Sequence, residues 1–484
     1  MVSRHIGKVI FSPAFLLLIV ILTTCSSPVS KKKQEAEANV EEGHSLLAEI
    51  RERGKLIATT DYNSTSYFVY RGAPMGYQYE LLKSFASYLG VKLEINVNND
   101  LEQAFNCLYN GGCDLIASDL TITNERSEVI KFTNPIGQTK QVLIQRKPVN
   151  WRKMKTWDEV ESHLIRNQLD LAGKTIHVQK NSSFIERLNN LEDEIGDTIY
   201  IIEDPQRVVE QLIRQVAMGE IDYTISDENV ALVNQKYYSN IDIATPVSFP
   251  QHLAWAVGKE SDLLLNEVNL WIEEFRQSAE SKFIYNKYFK NPRSVKIAQS
   301  EYHSVSGGKI SMYDEVIKEQ SINLNWDWRL LASLVYQESG FNPDVRSWVG
   351  AFGLMQLMPG TAEKYGVDTL SSPDENIIAG VKFLKWLDNQ FKELVEDDQE
   401  RVKFVLASYN VGIAHVFDAM RLTEKYEKDP AKWNGNVDYY LRNKSDPKYY
   451  NDSVVYYGYA RGEEPYKFVN EIIERYDHYK NVIN

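Results

Sequence analysis

From Lys55 onward the chain alternates two textures. Short apolar runs of strand length ("KLIATT", "KLEINV", "CDLIASDL", "QVLIQ", "KTIHVQ", "TIYIIE", "IDYTIS") lie between stretches whose apolar positions recur every three or four residues. "YQYELLKSFASYLG" and "PQRVVEQLIRQVAMG" are examples of the second kind, and Gly90 and Gly219 close those two helices. Such alternation predicts an α/β module with parallel strands. It stops at "YFKNPRSVKIAQSEYHSVSGGK", where Pro292, Gly307 and Gly308 punctuate a polar stretch and predict a linker over 293–308. Beyond it "SMYDEVIKEQS", "DWRLLASLVYQES", "NIIAGVKFLKWLDNQFKELV", "ERVKFVLASYN" and "PYKFVNEIIERYDHY" carry only helical periodicity. The chain is therefore multidomain: an α/β module over 47–292, then an all-α module over 309–484. No internal repeat is evident.

The N-terminus has a different pattern. Arg4 and Lys8 precede an apolar run over 15–22 that is too short to span a bilayer. The run ends at "LTTC", followed by a Lys/Glu/Ala/Ser-rich stretch. This looks like a lipoprotein signal, with a signal peptide over 1–24, Cys25 as the acylated residue and a tether over 25–46. Thr24 departs from the small residue usual at its position, and an uncleaved anchor or a plain secretory signal is the alternative. Each version exports the chain. Ser26, where an aspartate often retains lipoproteins at the inner membrane, points to the outer membrane facing the periplasm. The formal net charge of -13 over 484 residues argues against a nucleic-acid partner. Cys107 and Cys113 are compatible with a disulfide or with two unpaired thiols. The eight His are scattered without metal-ligand spacing, so no metal or other cofactor is expected.

One helix ends oddly. Leu330, Leu331, Leu334 and Val335 mark a buried stripe, and extending that stripe by three and four residues reaches Glu338. Desolvation there raises a carboxyl pKa and keeps a general acid protonated. A side chain that bends out to water is the alternative. Around it stand "ESGFNP", "SWVGAFGLMQLMP", "LASYNVG" and "YYGYARGEEPYKFV", which together resemble the lytic transglycosylase family, whose fold is lysozyme-like. Ser408 and Val411 replace usual alanines, and Phe352, where a small residue is common, is expected to narrow the cleft. The resemblance implies that Glu338 is the catalytic acid and that Ser347, Gln356, Met358, Tyr409 and Asn410 line a cleft for peptidoglycan glycan strands. It also implies a non-hydrolytic break of the MurNAc–GlcNAc bond that leaves 1,6-anhydro ends. Asp344 and Glu363 are the nearest carboxylates in sequence, and neither has a setting that suits a second catalytic role.

"GKLIATTDYN", "GYQYELLKSFASYLGVKLEI", "CDLIASDLTITNERSEVIKFTNPI" and "GEIDYTISDENVAL" resemble family 3 extracellular solute-binding proteins, in which two α/β lobes close on a ligand. The resemblance implies that Asp119, Thr121 and Arg126 surround a ligand carboxylate, that Ser182 and Ser183 form an anion-friendly corner, and that Asp227 takes an ammonium. Asp119 stands where a hydroxyl residue is usual, and a salt bridge to Arg126 would close the clamp to free amino acids. Alternatively, Arg126 is a structural ion pair and Asp227 a helix cap. The expected ligand is an amino acid or a muropeptide that modulates the catalytic module. Two other readings are open to the sequence: a sensing lipoprotein whose helical module only docks on peptidoglycan, and a lysozyme-like hydrolase.

Overall fold

A computed structural model describes residues 45–483 apart from 292, 299 and 306. The expected signal peptide, Cys25 and the tether up to residue 44 lie outside the described residues. The last tether positions already belong to the fold. Ser45 Oγ accepts from Ala48 N (3.2 Å) and caps a helix, Leu46–Arg53, that buries Leu47 and Ile50.

The strands, in chain order, are β1 (Lys55–Thr60), β2 (Phe68–Tyr70), β3 (Ala73–Met75), β4 (Lys92–Val97), β5 (Leu115–Thr121), β6 (Ile130–Phe132), β7 (Gly137–Thr139), β8 (Gln141–Arg146), β9 (Thr175–Gln179), β10 (Tyr200–Asp204), β11 (Tyr223–Asp227), β12 (Ile241–Pro246) and β13 (Gln251–Gly258). One lobe holds the order β4-β1-β5-β13-β6, with β7 beside β13; the other holds β10-β9-β11-β8-β12. The chain leaves the first lobe between Thr139 and Gln141 and returns between Pro246 and Gln251. Gln141, fully buried, ties the two crossings together by donating from Nε2 to Gln251 Oε1 at 3.2 Å. The expectation of parallel strands holds for β1 with β4 and β5, and for β9 with β10 and β11. It fails for β8 and β13, which run antiparallel to their neighbours. Each of them starts at the hinge, where β11 and β5 finish, and so must run back along them. Cys107 and Cys113 are unpaired thiols.

The helical module packs its long helices, Asp314–Leu324, Trp328–Ser339, Pro373–Phe391, Asp398–Val411, Ile413–Lys425 and Glu463–Val482, around one apolar core. Leu331, Leu334 and Val335 are fully buried in it, each contributing roughly 1.5–3 kcal/mol.

The two modules are joined by more than chain connectivity. The β2–β3 hairpin of the front module lies against the Glu463–Val482 helix. Tyr479 Oη donates to the Gly72 carbonyl (2.8 Å), and Asn481 Nδ2 donates to the Ile95 carbonyl (2.7 Å). Tyr67 Oη and His478 Nδ1 lie 2.7 Å apart, both buried. Burial holds His478 down at about 4, so this bond joins the modules without burying a charge. The segment expected as a linker also takes part. It contains the helix Arg293–Ala298, and Ser304 pairs with Val69 in both directions (Ser304 N to Val69 O, and Val69 N to Ser304 Oγ, each 2.9 Å). Polar composition suggested a free connection, but its hydrogen-bonding groups are used to extend the hairpin edge.

Gly72 sits at φ 80, and a Cβ there would lie 2.5 Å from Tyr336 and 2.8 Å from both Phe341 and Tyr479. Gly72→Ala is therefore expected to cost about 2–4 kcal/mol through overpacking and left-handed strain in guanidinium unfolding of the full chain. Gly90→Ala, at φ 72 with open space around it, should cost only about 1–2 kcal/mol. Equal losses would show that the hairpin seat adds nothing.

Candidate functional site

The Trp328–Ser339 helix starts on Asp327, whose carboxylate accepts from Arg329 N at 2.9 Å, and stops at Gly340 with φ 59. Ser333 Oγ donates to the Ile472 carbonyl (2.7 Å) and so helps fix the helix's rotation against Glu463–Val482. That rotation places Glu338 at the margin of the apolar stripe, half-buried. Its carboxyl makes no hydrogen bond or ion pair with any described residue. Desolvation alone raises its pKa to about 8. No neighbouring charge adds to the shift. Asp344 and Glu363 are exposed.

The following loop is a small, heavily bonded structure. Ser347 Oγ accepts from Ala351 N (2.9 Å), and Phe352 and Leu357 pair through both backbone groups (3.2 and 3.1 Å). Gln356, at φ 45, donates its amide to the carbonyls of Val345 and Gly353, both at 2.9 Å. Its donors therefore hold the loop, and only Oε1 is left to face a ligand. Tyr409 Oη is committed too, donating to the Met355 carbonyl at 2.6 Å. A charged Glu338 raises the pKa of this phenol further, so the two side chains are electrostatic neighbours. Met358 and Asn410 are exposed, and the Asn410 side chain has no partner among the described residues. Phe352 does not narrow a cleft: it is buried in the module core, because its backbone pairing turns the ring inward.

Sequence reasoning missed Asn376. It is buried, with Oδ1 accepting from Met355 N (2.8 Å) and Nδ2 donating to the Phe352 carbonyl (3.4 Å). Gly380 allows this approach, since a Cβ there would lie 2.6 Å from Met355 Cε. In the sequence Asn376 follows the capping box of Ser372 and Glu375, which accounts for the local pattern and hides the tertiary role. A buried Lys444–Asp418 pair (2.6 Å) was also missed. Asp418 accepts from the backbone of Tyr456 (2.8 Å) and Tyr457 (3.0 Å), fixing an exposed tyrosine loop.

In the front module, a cavity of about 120 Å³ opens between the lobes at the carboxyl ends of β1, β5, β9 and β11. Asp119, Arg126, Ser182, Ser183 and Asp227 line it, joined by Asp61 and Glu210, which the sequence did not single out. Thr121 lies behind them, its carbonyl accepting from Arg126 Nη1 (3.1 Å) and its hydroxyl 3.5 Å from Ser183 Oγ. The expected Asp119–Arg126 salt bridge does not form. Gln78, itself held by Trp255 Nε1 (2.7 Å), donates to Asp119 at 2.6 Å and keeps the carboxylate on another wall. The helix-cap alternative for Asp227 also fails. It stands at the N-cap of Glu228–Tyr237 without a cap bond, and its Oδ1 is buried with no partner. Burial, with repulsion from neighbouring aspartates, raises Asp227 to about 8 and Asp61 to about 7, and burial raises Asp119 to about 6. Glu210 is raised by burial while accepting from Ser64 N (3.1 Å) and from its hydroxyl.

Asn376→Ala would leave the Met355 N–H unpaired, while the Phe352 carbonyl keeps its bond from Leu357 N. The expected loss is about 1–3 kcal/mol in urea unfolding, with faster hydrogen exchange at the Met355 amide. Unchanged exchange there would rule out the clamp.

Two family models match the chain: bacterial extracellular solute-binding proteins, family 3, over residues 55–291, and the transglycosylase SLT domain over residues 315–432. A membrane-bound lytic murein transglycosylase F of Desulfosudis oleivorans is 34% identical over 434 residues, covering 89% of this chain and 91% of the relative. One of Stutzerimonas stutzeri is 34% identical over 440 residues, covering 90% and 86% respectively. A match of that extent, carrying both modules in this order with the desolvated glutamate in the second, places the chain in the membrane-bound lytic murein transglycosylase F family.

Proposed function

We propose that this peptidoglycan lytic transglycosylase uses Glu338 first as acid and then as base, in a cleavage that admits no water. The reading rests on one observation: the Glu338 carboxyl is desolvated, with no hydrogen-bond or ion-pair partner among the described residues and no neighbouring charge acting on it. Glycosidases that add water place two carboxylates about the bond. Here one group does both jobs. Glu338 gives its proton to the oxygen bridging MurNAc and GlcNAc as the bond from that oxygen to C1 of MurNAc breaks. The substrate's acetamido group stabilises the cation developing at C1. The C6 hydroxyl of MurNAc then closes on C1 and returns a proton to Glu338, leaving a 1,6-anhydro ring and a regenerated acid. Asn410 and Met358 supply open sugar contacts, with Ser347 beside them. Tyr409 and Gln356 hold the loop that shapes the cleft.

The front cavity takes an amino acid or the corresponding part of a muropeptide, with Arg126 on a carboxylate, Asp227 on an ammonium, and Ser182 and Ser183 at the helix start beside them. Thr121 supports Arg126 from behind. The hairpin contact with Tyr336, two residues before Glu338, is the route by which an occupied front module alters turnover. Among the described residues no helix is long and apolar enough to cross a membrane. Membrane attachment is assigned to a lipid on Cys25, in the outer membrane facing the periplasm.

Mass spectrometry of material released from peptidoglycan tests the mechanism. Anhydro-MurNAc ends are expected from the wild type, and Glu338→Gln should be slower by about 10²–10⁴-fold. Because Glu338 is protonated below about 8, the rate should fall as pH rises through that value. Reducing ends would instead assign a hydrolase. The same assay with and without free amino acids tests modulation, and an unchanged rate with bound ligand overturns it. Metabolic palmitate labelling that survives in Cys25→Ser would overturn the anchor.

A further inference from the structure

The cavity between the lobes has an excess of acid that a simple zwitterion does not answer. Three aspartates and one arginine face it, besides Glu210. Glu210 is already engaged by the backbone and hydroxyl of Ser64 across the lobes, so it acts as a latch. Asp227 has no hydrogen-bond partner on its buried oxygen among the described residues. Asp61 has one donor, Ser118 Oγ at 2.9 Å, and Asp119 is held by Gln78.

The charges are ordered along the cavity. Asp227 interacts electrostatically with Asp119, Arg126 and Asp61. Asp61 accepts from Ser118, the residue before Asp119, so these two carboxyls share one part of the first lobe's wall. Arg126 is tied to the Thr121 carbonyl further along the same strand end, and Asp227 ends β11 in the facing lobe. An α-amino acid carries its carboxylate and ammonium on one carbon, which matches the adjacent Arg126 and Asp227. Its side chain then runs toward Asp119 and Asp61. An apolar side chain would cover those two carboxyls without pairing them, and burying unpaired charge costs several kcal/mol. A side chain ending in a cation would pair them, and the same groups then reject neutral competitors. A metal ion does not fit, because among the described residues no group of three or more carboxylate, His or Cys ligands converges. The volume, about 120 Å³, is on the scale of one small ligand rather than a glycopeptide.

We propose that the front cavity is selective for a basic α-amino acid, with its carboxylate on Arg126, its α-ammonium on Asp227 and its side-chain cation between Asp119 and Asp61. This rests on the reading of the cavity as an amino-acid site. Calorimetric titration of the full chain with L-lysine and with L-norleucine, which lacks only the terminal ammonium, tests it. Lysine should bind at least ten-fold more tightly. Asp61→Asn should bring the two ligands within about two-fold, by weakening lysine and strengthening norleucine, and Asp119→Asn serves as the second variant. Ligand-free Asp61→Asn should melt no lower than the wild type, because the change removes repulsion among buried carboxyls. Norleucine binding as tightly as lysine would overturn the basic class and leave the amino-acid site standing. A lysine preference that survives in both variants would overturn the assignment of the cation to Asp61 and Asp119. No binding of either ligand to the wild type would overturn the site reading and the proposal with it.

Discussion

An uncharged carboxylic acid held at the margin of a hydrophobic core is the constraint around which the helical module is organised. Water or a basic partner would ionise Glu338 and remove its proton. The fold therefore supplies apolar walls on one side and, among the described residues, no cation paired with it. Leu331, Leu334 and Val335 supply the packing below it. Ser333 fixes the helix rotation, and Gly340 ends the helix before its backbone can cover the site. Tyr409 closes one wall while giving its only proton to Met355, so it does not compete as an acid.

The same physics operates in the front module to a different end. There burial raises several carboxyls together, and they repel one another. The two sites are linked by a hairpin rather than a flexible tether. Its turn at Gly72 fills a niche formed by Tyr336, Phe341 and Tyr479, and Tyr336 lies on the helix that carries Glu338.

Much of the fold was legible in hydrophobic periodicity: the strand–helix alternation, its halt near residue 292 and the buried stripe leading to Glu338. What escaped were contacts between residues distant in sequence. Gln78 held by Trp255 decides where Asp119 points, and so prevents the salt bridge to Arg126 expected from a carboxylate at a position usually held by a hydroxyl residue. Asn376 lies 21 residues from the backbone group it secures. Ser304 lies 235 residues from the strand edge it completes. Phe352 was misjudged because a residue in a loop has no periodicity to show which way it faces.

The sequence by itself determined the order of the modules, the helix that aims an acid inward and the family to which both modules belong. These depend on local periodicity and on motifs a few residues long. The tertiary structure alone decided which donors remained free for a ligand, which carboxyls shared a cavity and how the modules touch. Those outcomes depend on competition for each hydrogen bond and on desolvation, and both are set by groups that the chain brings together only when it folds.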